Sequence, residues 1–154
     1  MSRAKQFTQY FLSHRNVTVE LINKIEEKHY DYKPTPTSMP AKDLATHILF
    51  SFYKFANTAK HGDPTLFTQK IEETETNLQK LAETYTEKTK QLLESLTDED
   101  FERVLDLTNV FGAKIPAAQF LQMAMDHEIH HKGQLFVYVR EMGHTDLPLF
   151  VQRG

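Results

Sequence analysis

Apolar residues recur at three- and four-residue spacing along four separate stretches of the chain, and that period predicts four long helices. The first stretch runs from about Ser2 to Lys28, where Phe7, Tyr10, Phe11, His14, Val17, Thr18, Leu21, Ile22 and Ile25 trace one stripe. Lys5, Arg15, Asn16, Lys24 and Glu27 fall mainly elsewhere, which makes the helix amphipathic. The pattern breaks over HYDYKPTPTSMP, from His29 to Pro40, because Pro34, Pro36 and Pro40 fix φ, remove amide donors and push the preceding residues into extended conformations. This is a crossing loop. Ser38 or Met39 marks the next helix start, with Pro40 at an early position where its missing N–H costs little, and Asp43 adds a favourable negative charge to the first turn. From about Pro40 to Lys60, Ala41, Leu44, Ile48, Phe52, Phe55 and Ala59 share a face with His47 on its flank, and Gly62, Asp63 and Pro64 close the element.

Thr65 to Leu96 reads as a polar connection followed by a third helix, with Ile71, Leu78, Leu81, Ala82, Tyr85, Leu92, Leu93 and Leu96 on its stripe. Thr97 with Asp100 three residues later resembles a capping arrangement. ERVLDLTNVFGAK then shows partial alternation with β-branched residues, so an extended connector with a little strand pairing is expected before the last helix. That helix covers Pro116 to Met142, ends at Gly143, and is followed by a tail whose Leu147, Leu149 and Phe150 are expected to pack back. Four amphipathic helices around one core specify an all-α four-helix bundle, a single domain over residues 1–154.

The last helix carries the candidate chemistry. At about 100° per residue, Phe120, Ala124, His127, His131, Gln134, Leu135, Tyr138 and Met142 fall within roughly one third of the circumference. Two imidazoles therefore sit at i and i+4 on a buried-looking face, while His130 points away from them. Leu121, Met125, Phe136 and Val139 widen the apolar arc, so the helix is expected to be covered on more than one side. His47 lies one turn before the small Ser51, which leaves space beside its ring for a pocket. His14 sits mid-stripe among apolar neighbours that account for it as a core histidine without any ligand role.

Composition narrows the field. The chain has no cysteine, which removes disulfides, thiolate metal sites and cysteine nucleophiles and leaves imidazole and carboxylate as metal ligands. A net charge of −3 with mixed signs gives no electrostatic footprint for nucleic acid. The N-terminus lacks an apolar signal-peptide core and no stretch approaches a membrane span, so a soluble cytoplasmic protein is expected.

Bundles build metal sites from inward side chains on facing helices, and His47, His127 and His131 would supply three neutral nitrogens with at least one position left open. Imidazole suits several divalent ions: zinc or nickel foremost, with iron and manganese also open. HEIHH, from His127 to His131, also matches the H-E-x-x-H string of zinc proteases. Its extended form requires glycine three and histidine six residues after the second His, where this chain has Gln134 and Val137. Glu128 is better cast as an outer-shell partner or a proton-transfer group, with Asp43, one turn before His47, as a second outer candidate.

HEIHHKGQLFVYVREMG, from His127 to Gly143, resembles the last helix of the DinB/YfiT-like superfamily, with its H-x-x-x-H pair followed by a basic residue, Gly and Gln. SMPAKDLATHILFSFYKF, from Ser38 to Phe55, is similar to that family's second helix, and the proline-rich YDYKPTP before it also fits. The resemblance implies a metal triad at His47, His127 and His131, with His130 in the motif but not a ligand. It further implies a homodimer, with which the surplus apolar arc of the last helix is compatible, and an activity akin to metal-dependent transferases and isomerases that use low-molecular-weight thiols. Two classes of function follow: a metal-dependent enzyme that activates a thiol or water against a small electrophile, as a transferase or hydrolase, or a non-catalytic metal- or small-molecule-binding bundle or stress-associated dimer.

Overall fold

In chain order the elements are α1 (Arg3–Asn23), α2 (Ala41–His61), α3 (Thr65–Thr68), α4 (Leu78–Glu94), α5 (Asp98–Glu102), β1 (Val104–Leu107), α6 (Thr108–Phe111), β2 (Ala113–Pro116) and α7 (Ala117–Glu141). They come from a computed structural model that describes residues 1–153. The four long helices form a bundle in which α1 packs on α4 and α7, and α2 packs on the same two. No helix is long and apolar enough to cross a membrane. The apolar stripes meet where expected: Phe11 of α1 and Phe52 of α2 have ring centroids 4.6 Å apart, and Leu21, Leu49, Phe120 and Leu135 are fully buried. Each such side chain contributes about 1.5–3 kcal/mol through removal from water.

Local signals set the boundaries. Ser2 caps α1 by accepting from the Lys5 amide, and α1 ends at Asn23, short of the expected Lys28, with a 3-10 turn at Glu27–His29. Pro40 is itself the N-cap of α2 and offers no side-chain cap. The loop supplies partners instead: Ala41 and Lys42 donate to the carbonyls of Tyr32 and Tyr30, each at 2.9 Å. The proline-rich segment is thereby stitched to the start of α2. At the other end Gly62 adopts φ 70° and its amide closes on the Thr58 carbonyl at 2.8 Å. This left-handed conformation is open to glycine at little steric cost.

The third predicted helix begins later than its periodicity suggests. Ile71 shares the seven-residue spacing of the stripe yet lies in an extended stretch, and α4 starts only at Leu78. The Glu73 carboxylate accepts from the Thr74 and Glu75 amides, and Asn77 caps α4 through the Lys80 amide. These local bonds offer the backbone an alternative to helix. Thr97 and Asp100 complete a capping box at α5. The connector is a hairpin: β1 pairs antiparallel with β2, Leu105 opposite Ile115, around the single turn α6. The Ala117 amide then bonds the Arg103 carbonyl at 2.8 Å and launches α7.

The wide apolar arc of α7 is taken up within the chain, since Phe120, Leu121, Met125, Leu135 and Val139 are all buried. The tail differs from expectation. Leu147 packs against the core, but Leu149 and Phe150 are exposed. The tail is held by polar contacts: the Gln152 amide donates to the Ser13 carbonyl at 2.8 Å, and Asn16 donates to the Gln152 side chain at 2.7 Å.

Candidate metal centre

Helical spacing alone brings His127 and His131 together, with ring centroids 4.4 Å apart. His47 enters from α2, its ring 4.8 Å from that of His127 and 4.9 Å from that of His131. One nitrogen from each ring lies within 4.8 Å of the others. His47 Nε2 and His127 Nε2 are 3.0 Å apart, so one of them carries the shared hydrogen. Two nitrogens on a tetrahedral zinc are about 3.4 Å apart, so closing on an ion asks the widest pair to approach by about 1.4 Å through side-chain movement.

Outer contacts prepare the rings. His131 Nδ1 lies 2.7 Å from Gln134 Oε1, which can only accept, so Nδ1 carries the hydrogen and Nε2 keeps its lone pair. Ser51 Oγ lies 3.4 Å from His47 Nδ1, which leaves His47 Nε2 facing the other rings. Burial first, then the rings of His131 and His47, pushes the pKa of His127 down to about 4. His47 is likewise held below the ordinary histidine value by burial, by His131 and by the Lys54 ammonium. Both rings are thus neutral near pH 7, the form in which imidazole binds metals. The donor set fits a divalent ion.

The other residues singled out from the sequence lie elsewhere. His14 is buried and accepts from Lys132 Nζ at 2.6 Å through its Nδ1, with Tyr10 edge-on at 5.4 Å. It is a core histidine. His130 is exposed, its ring 4.7 Å from that of His131. Asp43 is exposed, its carbonyl accepts from Thr46 Oγ1 at 3.2 Å, and among the described residues no hydrogen bond joins it to His47. Glu128 turns toward α1: its carboxylate accepts from Arg15 Nε at 2.9 Å, Arg15 Nη2 at 2.7 Å and Thr18 Oγ1 at 2.7 Å. Among the described residues its side-chain hydrogen bonds all go to α1 and none to the three imidazoles.

Three residues here escaped the reading of the sequence. Gln134 was visible, one turn after His131, as a side chain in reach of its ring. Arg15, assigned to the polar side of its helix, is fully buried at 0 % exposure. Lys132 is 2 % exposed and donates to His14 and to the Phe150 carbonyl. The signal for both was Glu128, an acid on an apolar helix that needs a buried cation.

The model of the DinB family matches residues 1–153, the histidine segments included. The chain belongs to the DinB family. An uncharacterized protein, YjoA, of Bacillus subtilis (strain 168) is 58% identical over 153 residues, covering 99% of each chain. The crystal structure of that DinB-like protein superposes with a TM-score of 0.91 at 57% identity, covering 96% of this chain and 99% of that one. A DinB-like protein from Bacillus cereus ATCC 10987 has the same fold, with a TM-score of 0.69 at 22% identity over 94% of this chain and 95% of that one. In this DinB family chain the three-histidine group joins the family's helical scaffold at α2 and α7.

Proposed function

We propose that this chain is a divalent-metal-dependent enzyme that activates a low-molecular-weight thiol or a water against a small electrophile. The observation that carries the reading is the convergence of His47, His127 and His131 from two helices, each offering one nitrogen within 4.8 Å of the others. The three rings would hold the ion, with zinc or nickel the first candidates and iron and manganese also suited to imidazole. A bound divalent ion supplies a lowered pKa for a coordinated thiol or water, and hence a nucleophile near neutral pH. With no cysteine in the chain, a sulfur nucleophile arrives as cosubstrate.

The chain's own residues do the positioning. Gln134 fixes the His131 tautomer and Ser51 braces His47. Glu128, clamped by Arg15 and Thr18, acts through its charge, which opposes the depression of the His127 pKa. That clamp weighs against the protease reading, in which the glutamate of H-E-x-x-H must reach a water on the ion. It equally favours a second reading, a metal- or small-molecule-binding bundle without catalysis, because among the described residues no carboxylate joins the three rings in the cluster. A homodimer remains part of the proposal and is tested by light scattering across a concentration series.

Metal analysis of purified protein, paired with thiol-conjugation and hydrolysis assays with and without added ions, separates the readings. The enzyme reading expects stoichiometric metal that is lost in His47→Ala and His127→Ala, and metal-dependent turnover. Metal retained in both variants would sink the site. Metal without turnover of any electrophile would leave the binding bundle.

A further inference from the structure

Beside His131 lies a cleft of about 450 Å³, walled by the proline-rich segment on one side and by α7 from His131 to Tyr138 on the other. Small-molecule sites occupy roughly 300–1,000 Å³ and combine apolar walls with a few placed polar groups. The apolar walls here include Met39 and Val137, which are 37% and 50% exposed. Most of the polar groups are already engaged. The Tyr138 hydroxyl donates to the Met39 carbonyl at 2.7 Å, and the Thr35 and Ser38 hydroxyls bond each other at 2.6 Å.

The exceptions are Thr37, exposed at the surface, and Gln134. Its Oε1 is occupied by His131 Nδ1, while its amide N–H groups have no partner among the described residues. No Asp, Glu, Lys or Arg lines the cleft. An ion entering it would shed water with no opposite charge to replace that hydration, whereas a neutral molecule meets apolar contact along the walls and a donor at the histidine end.

We infer that this cleft seats an uncharged, largely apolar small molecule bearing a carbonyl or hydroxyl acceptor, which Gln134 orients toward the three histidines. The inference rests on the three-histidine reading for which end of the molecule reacts. It does not need that reading for binding itself. The molecule in the cleft is the electrophile, and an anionic thiol would have to approach the histidines from outside it.

The full chain, treated with chelator, is titrated with acetophenone, benzoate and benzylamine while backbone amide NMR signals are followed. Acetophenone is expected to shift the amides of Ser38, Gln134 and Tyr138 and to bind at least about tenfold more tightly than either ion. Val137→Arg, on the exposed rim, is expected to strengthen benzoate by about tenfold. Equal binding of the ions, no saturable shift at the cleft, or shifts that follow protein concentration because a second copy covers it, would each overturn the inference. His127→Ala separates the two readings. Acetophenone binding kept while metal is lost supports the cleft, and acetophenone binding lost from the chelated wild-type chain sinks the cleft alone.

Discussion

Along α7, His127 and His131 turn toward α2, while Glu128 and Lys132, each one residue later, turn toward α1. Both pairs have i, i+4 spacing, so the same geometry serves two chemistries on adjacent flanks. On the α1 side the groups are charged, almost fully buried and hydrogen-bonded: Arg15 grips Glu128 with two nitrogens, Thr18 adds a third bond, and Lys132 binds His14 and a tail carbonyl. On the α2 side His127 and His47 are held toward the neutral form by burial and by neighbouring groups, and their Nε2 atoms share one hydrogen. The difference shows what burial demands of each. A charge is tolerated inside only when its partners are complete, whereas a neutral imidazole can wait with one nitrogen unused.

That contrast is broken most forcefully at Glu128. Glu128→Ala leaves the Arg15 guanidinium buried without a counter-charge and is expected to cost about 3–5 kcal/mol, read from denaturant unfolding. Combining Glu128→Leu with Arg15→Met is expected to restore most of that loss, because a buried ion pair replaced by apolar groups is often close to neutral. A single-variant loss below about 1 kcal/mol, the range of exposed pairs, would show that the clamp is not buried in solution.

On the other flank, His127→Ala is expected to leave the melting temperature nearly unchanged and to weaken zinc or nickel binding by more than about 100-fold, beyond the range typical of outer partners. Calorimetric titration measures it. Gln134→Leu removes the bond that sets the His131 tautomer, and about a tenfold loss of metal affinity is expected. An unchanged affinity would mean that the ring is oriented by packing alone.

The smallest effect is on pH. His14 is held below its ordinary value by burial and by the Lys132 ammonium, as His47 and His127 are by burial and neighbouring rings. All three take up protons less readily in the fold than in the unfolded chain, which protonates below about pH 6.5, so stability falls as pH drops through that value and rises toward neutrality. Thermal melts of chelator-treated protein between pH 7 and 4 should show this decline, and a His14→Gln variant should flatten part of it. A melting temperature that climbs on acidification would reverse the assignment.

The helices and the His127–His131 pair were legible because both are periodic. Phe52, Ile48 and Phe120 had to face inward for any helical reading of their segments, and His127 and His131 had to be neighbours. What brought His47 to them was the packing of α2 on α7, which no local spacing encodes and which followed from reading the helices as a bundle, in agreement with the family resemblance. The misplacements have a common cause. Arg15 looked like a solvent-facing charge and Lys132 drew no reading of its own, because their type is usually exposed and only the partner on another helix reverses that. Ile71 looked helical because a seven-residue spacing to Leu78 fits the period, yet the Glu73 side chain captures the intervening amides.

The stitching of the proline-rich segment bears on how the cleft discriminates. Backbone bonds from Ala41 and Lys42 hold its base, and the Tyr138 hydroxyl holds its far end at Met39. With proline rings already restricting φ at residues 34, 36 and 40, this wall has little freedom left to surrender when a guest arrives. Shape is therefore decided before contact, and a molecule that does not match is rejected by collision with a stiff surface.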